Sequence, residues 1–115
     1  VVAIDCVHDM NDPIGVLRTI RERLTPEGML LWSEPAGSTN PLDNTEPLPR
    51  LRSALSIYHC LTVSLATGGA GLGTLIGESG ARELATLAGF DRFEVLPVSS
   101  EAQLFFGLHA GSPAA

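Results

Sequence analysis

The chain has 115 residues, a formal net charge of -6, and seven basic residues, all of them arginine. At 44% hydrophobic residues it is long enough to bury the core of one domain. The acidic balance leaves no basic face for phosphates, which disfavours nucleic-acid binding. No apolar run reaches the ~18 residues of a bilayer span, so no membrane segment is expected.

Residues 1–7 form a nearly continuous apolar, β-branched run, the pattern of a strand covered on both faces in a parallel sheet. The run starts without a turn or cap, as if the chain entered the middle of a sheet whose first part lies upstream. Asp12-Pro13 then opens a helix, with Asp12 capping and Pro13 at the first helical position. Val16, Leu17, Ile20 and Leu24 recur at helical spacing on one side. Thr25-Pro26-Glu27-Gly28 ends that helix, and Met29–Ser33 reads as the next buried strand. Strand, helix and strand make a βαβ unit with a right-handed crossover.

Residues 35–50 are rich in Pro, Asn, Gly and Thr and read as a long loop, a candidate wall or lid over a site. An apolar helix is predicted from about Arg50 to Ala66. The turn Gly68-Gly69-Ala70-Gly71-Leu72-Gly73 follows, then a helix over Glu78–Ala88. In that helix Glu78 and Arg82 are spaced for an i,i+4 pair, and Gly89 is the stop signal. Phe93–Val98 and Ala102–Leu108 suit an antiparallel hairpin. Residues 1–110 are thus read as one domain and 111–115 as a frayed tail.

Residues able to carry chemistry concentrate at the predicted strand ends. In open α/β sheets ligands bind outside the carboxyl ends of the strands. His8-Asp9 leaves one such end and Glu34 the next. Adjacent strands lie ~4.8 Å apart, so His8 and Glu34 can face one crevice, where a carboxylate fixes the imidazole tautomer for a general base. Alternatively, His8 bonds a backbone carbonyl and Asp9 only caps the loop, and on the residues alone both readings stand. His59, beside Tyr58, reads as a core histidine satisfied by one hydrogen bond, with contact to a bound substrate as the alternative. His109 is expected near the frayed end and solvated.

No metal constellation is expected from three scattered histidines. Cys6 and Cys60 lack CxxC or Cys/His spacing and read as buried thiols in a reducing, cytoplasmic setting. The glycine turn resembles a nucleotide loop, but the segment before it is helical rather than a strand. It is therefore expected to be a connection that lets helices pack closely. No G-x-S-x-G elbow supports a serine nucleophile.

Asp5-x-x-His8-Asp9-Met10-x-Asp12-Pro13, Val16-Leu17-x-x-Ile20-Arg21-x-x-Leu24-x-Pro26-x-Gly28 and a strand ending in Glu34-Pro35 resemble class I S-adenosylmethionine-dependent methyltransferases. The match is to their carboxyl-terminal half. Cys60–Leu65, Gly68–Thr74 and Leu87-Ala88-Gly89-Phe90 are similar to a bacterial subgroup with an amino-terminal winged-helix-like region. This resemblance implies an α/β, Rossmann-like sheet: two parallel strands, an antiparallel terminal hairpin, and helices on both faces. It also implies S-adenosylmethionine as cofactor and a small-molecule O or N acceptor. His8 would be the general base, with Glu34 orienting it and Asp9 completing the pair. Cys6 and Val7 would lie beside the cofactor, and Tyr58 and His59 would shape the acceptor pocket. The family's cofactor loop and acidic ribose partner are expected upstream of Val1, so this chain alone is expected to be inactive. A homodimer would form through regions outside this chain. A non-catalytic assembly or ligand-binding module derived from such an enzyme is the alternative.

Overall fold

The computed structural model describes residues 1–111, so the expected frayed tail lies, from residue 112 onward, outside the described residues. In chain order the elements are β1 (Val2–Ile4), α1 (Pro13–Arg23), β2 (Met29–Pro35), α2 (Pro47–Leu55), α3 (Leu61–Ala66), α4 (Gly77–Leu87), β3 (Arg92–Val95) and β4 (Gln103–His109). Short 3-10 turns cover Val7–Asp9 and Pro41–Asp43. A wide π turn over Ser56–Cys60 joins α2 to α3. The four strands form one mixed sheet in the order β1-β2-β4-β3. β1 and β2 are parallel, while β4 runs antiparallel to both β2 and β3. The predicted α/β class, parallel pair and terminal hairpin are all present.

The βαβ unit forms for the reasons legible in its residues. The Asp12 carboxylate accepts from the Gly15 amide at 2.9 Å, and Pro13 occupies the first turn of α1. Leu17 is fully buried, and Ile20 and Leu24 pack at the margin of the core. Trp32, Phe106, Leu30 and Leu108 are the large side chains at the centre, and α4 adds Ala81, Leu84 and Ala85. Trp32 meets Phe106 edge-on with centroids 5.6 Å apart, and Phe93 lies 4.9 Å from Phe106. Such pairs add about 0.5–1.5 kcal/mol beyond the area they bury.

Several predicted elements differ from the observed ones: the helix expected from Arg50 to Ala66 is divided by the π turn into α2 and α3, and the strand expected over Phe93–Val98 ends at Val95. The first strand stops at Ile4, and only Ala3 of its three residues is buried. Successive side chains of a strand point to opposite faces. Val2 and Ile4 therefore turn away from the core face that holds Ala3 and Trp32, and both stay exposed. The predicted two-sided cover does not form around β1. β2 extends to Pro35, because Glu34 and Pro35 pair with Leu104 and Gln103. Glu34 thus lies inside the strand and not beyond it. The long loop is shorter than predicted, since α2 already begins at Pro47.

The loop between β2 and α2 is ordered by Asn44, whose side chain accepts from the Ser38 amide and donates to the Ser38 carbonyl. The glycine turn is fed by α3 and not by a strand, in line with the connection expected there. Gly71 and Gly73 adopt positive φ, and the Gly71 amide donates to Ser64 Oγ at 2.9 Å. A Cβ at Gly69 would collide with Asn11 and Ser64, so the glycine lets the turn close onto the segment before α1. Gly89, at φ +90°, ends α4 as predicted, and the Phe90 amide reaches back to the Ala85 carbonyl. Among the described residues no helix is long and apolar enough to cross a membrane.

Candidate active site

The geometry at the carboxyl end of β1 is set by Asp5, whose φ of +52° is the one positive value among the described non-glycine residues. Its amide still donates to the Ser33 carbonyl at 2.8 Å, so it continues the ladder while turning the chain. The 3-10 turn that follows folds His8 back over β2. His8 is therefore carried by this turn and does not leave the strand directly.

His8 and Glu34 are both buried, at 2% and 0% exposure. His8 Nδ1 lies 2.5 Å from Glu34 Oε2, and the His8 amide donates to Glu34 Oε1 at 3.3 Å. Trp32 Nε1 donates to the same Oε1 at 2.8 Å. The buried carboxylate thus has three partners, the condition under which a charge is tolerated inside a protein. Trp32 was not predicted here. Its signal is the i,i+2 spacing to Glu34, which places both side chains on one face of a strand.

On its other side, His8 Nε2 lies 3.4 Å from Asp9 Oδ1, and Asp5 Oδ1 is 3.9 Å from Nδ1. Burial alone would lower the His8 pKa. The Glu34 hydrogen bond and charge, with Asp9 and Asp5 adding, overcome it and hold the imidazole above its ordinary value. The structure therefore brings His8, Asp9 and Glu34 together. A general base fixed through Nδ1 has Nε2 left to accept a proton, and that is the chemical capacity of this arrangement.

The remaining predicted residues fall elsewhere. Val7 is fully buried in the core, and Cys6 is half-buried at its margin. Burial, then the Glu34, Asp5 and Asp9 charges, pushes the Cys6 thiol up, which keeps it neutral. Tyr58 is 85% exposed and His59 is exposed as well, so His59 is not the core histidine predicted. Both lie on the π turn over Ser56–Cys60. His109 lies within β4 and is half-buried, 3.8 Å from Glu94 Oε1, and is not solvated as predicted. An open groove of about 710 Å³ between the Gly37–Thr39 segment and α4 includes Ser79 and Arg82 but not His8.

Cys60, on the π turn, is the other residue that sequence reasoning left out of the site. Its thiol, with one donor atom each from His8 and Asp9, falls in a group whose members lie within 4.8 Å of one another. Burial pushes the thiol pKa up, opposed by the Thr74 hydroxyl and reinforced by the Asp9 carboxylate.

No protein-family model matches the chain, and no curated protein matches it. Nineteen solved chains match it. One is the crystal structure of a "putative O-methyltransferase" from Nostoc punctiforme PCC 73102, with a TM-score of 0.62 at 20% identity over 94% of this chain. The chain spans 30% of the length of that protein. The likeness establishes the fold alone: an α/β sheet with a parallel pair and an antiparallel hairpin.

Proposed function

We propose that the chain is part of an S-adenosylmethionine-dependent methyltransferase acting on an O or N atom of a small molecule, with His8 as general base and Glu34 as its orienting carboxylate. The observation that carries the reading is the buried Glu34–His8 contact of 2.5 Å at the carboxyl end of two parallel strands. Asp5, Asp9 and Glu34 converge on the end of β1, a surrounding that favours a cationic group such as a sulfonium. Cys6, neutral and half-buried, suits contact with its apolar flank, whereas Val7, sealed in the core, would act from behind. These residues fit one edge of the cofactor. When bound, S-adenosylmethionine supplies an electrophilic methyl group.

The chain's own part is proton handling and positioning. Glu34 holds Nδ1, so the proton of an acceptor hydroxyl passes to His8 Nε2, and the Asp9 carboxylate beside Nε2 stabilises the resulting imidazolium. In the complete enzyme His8→Ala is expected to lower turnover about 10²–10⁴-fold, the usual worth of general base catalysis, with cofactor affinity by calorimetry nearly unchanged. Equal loss of turnover and affinity, or no loss of turnover, sinks the base role.

One observation favours a second reading. His8 is almost fully buried, as a residue that only pins the 3-10 turn to β2 would be. In that case the chain is a non-catalytic α/β assembly or ligand-binding module. His8→Ala would then lower the unfolding temperature while the full-length protein shows neither methyl transfer nor S-adenosylmethionine binding before the change.

A further inference from the structure

We infer that His8, Asp9 and Cys60 form a binding site for a thiophilic divalent cation of the zinc class. Fifty-two positions separate His8 from Cys60, and the π turn delivers the thiol to the end of β1. A π turn inside an otherwise α-helical stretch is frequently a device that re-aims functional side chains.

Three features support the cation. The donor set is one imidazole, one carboxylate and one thiol, the mixture that a tetrahedral zinc ion accepts. For His8 and Asp9 the spacing agrees as well. Ligand atoms ~2.0–2.1 Å from a tetrahedral centre sit ~3.3–3.4 Å apart, and His8 Nε2 and Asp9 Oδ1 are separated by 3.4 Å. The surrounding groups are also in place. Glu34 holds His8 Nδ1, the carboxylate–histidine arrangement that commonly backs a metal ligand and leaves Nε2 to bind it. The buried Thr74 hydroxyl lies against Cys60, where donation to sulfur favours the thiolate.

Binding displaces to solvent the Cys60 proton and, where His8 is cationic, the proton on Nε2. Thiolate, carboxylate and neutral imidazole then balance the charge of the dication, and a water completes four-coordination. If the methyltransferase reading holds, on which this last consequence rests, an ion on Nε2 takes the lone pair needed by the base, so the cation inhibits.

The test uses the full-length protein with Zn²⁺ and Co²⁺. Co²⁺ is expected to give a near-ultraviolet thiolate-to-cobalt band that Cys60→Ser abolishes, and Glu34→Gln should weaken binding about 10–100-fold. In the unmutated protein, Zn²⁺ should slow alkylation of Cys60, mapped by mass spectrometry, and leave Cys6 unaffected. Absence of the band, its persistence in Cys60→Ser, or unchanged alkylation of Cys60 overturns the site. An active enzyme without the band refutes the cation alone. A band in a protein that shows no methyl transfer even after the metal is removed with a chelator refutes the enzyme reading and leaves the cation site standing.

Discussion

Glu34 accepts from the His8 amide, bonds the His8 ring and accepts from the Trp32 indole inside an apolar core, so no single partner can be removed without leaving a buried charge short. Breaking a buried ion pair of this kind costs about 3–5 kcal/mol, far more than an exposed pair such as Arg82–Glu78 contributes. The pair also has a definite pH signature. His8 is held above its ordinary pKa by Glu34, with Asp9 and Asp5 adding, and the Cys60 and Cys6 thiols are the other titratable groups beside these carboxylates. A raised histidine pKa stabilises the fold fully below the unfolded value of ~6.5, and that stabilisation is lost as pH rises through the folded value. With a chelator present, unfolding midpoints of the unmutated protein and Glu34→Gln should therefore converge as pH rises from 6 toward 9. A gap that widens over this range contradicts the assignment.

At the scale of elements, α4 is capped from outside its own sequence. Ile76 offers no capping side chain, but Thr39 Oγ1 accepts from the Gly80 amide at 3.1 Å and from Ser79 Oγ at 2.7 Å. Thr39 Oγ1 also donates to the Ile76 carbonyl at 2.5 Å. Gly77, at φ +67°, permits this approach, because a Cβ there would meet the Thr39 backbone nitrogen. Gly77→Ala should destabilise the protein by about 1–3 kcal/mol through strain and lost capping, read by chemical denaturation. A stability change below a few tenths of a kcal/mol would show that the loop does not cap the helix.

The same contrast explains what could be read in advance. Asp12-Pro13, Gly89 and the strand pairs announce themselves through local chemistry, because a cap, a stop or an alternation needs only near neighbours. His8 and Glu34 were legible because parallel strands bring their ends together by rule. Thr39 on α4, Trp32 on Glu34 and Cys60 beside Asp9 were not read. The first and last depend on where a loop and a π turn place a side chain dozens of residues away, and sequence spacing carries no such information. Trp32 was legible in principle from strand alternation alone.

Across the whole molecule, β1 is one of the two edge strands of the described sheet, only three residues long, with Val1, Val2 and Ile4 exposed beside it. Its free side presents unpaired amide and carbonyl groups next to β-branched side chains, without the lysine, proline or bulge that commonly discourages strand addition. Prepared as 115 residues by itself, the chain should self-associate as its concentration rises, and Val2→Lys should suppress this in light scattering. A monodisperse monomer at high micromolar concentration would contradict the expectation. The rim of this short strand would then act as a template for colloidal growth, and ligand titrations on the isolated polypeptide would report edge recruitment along with binding.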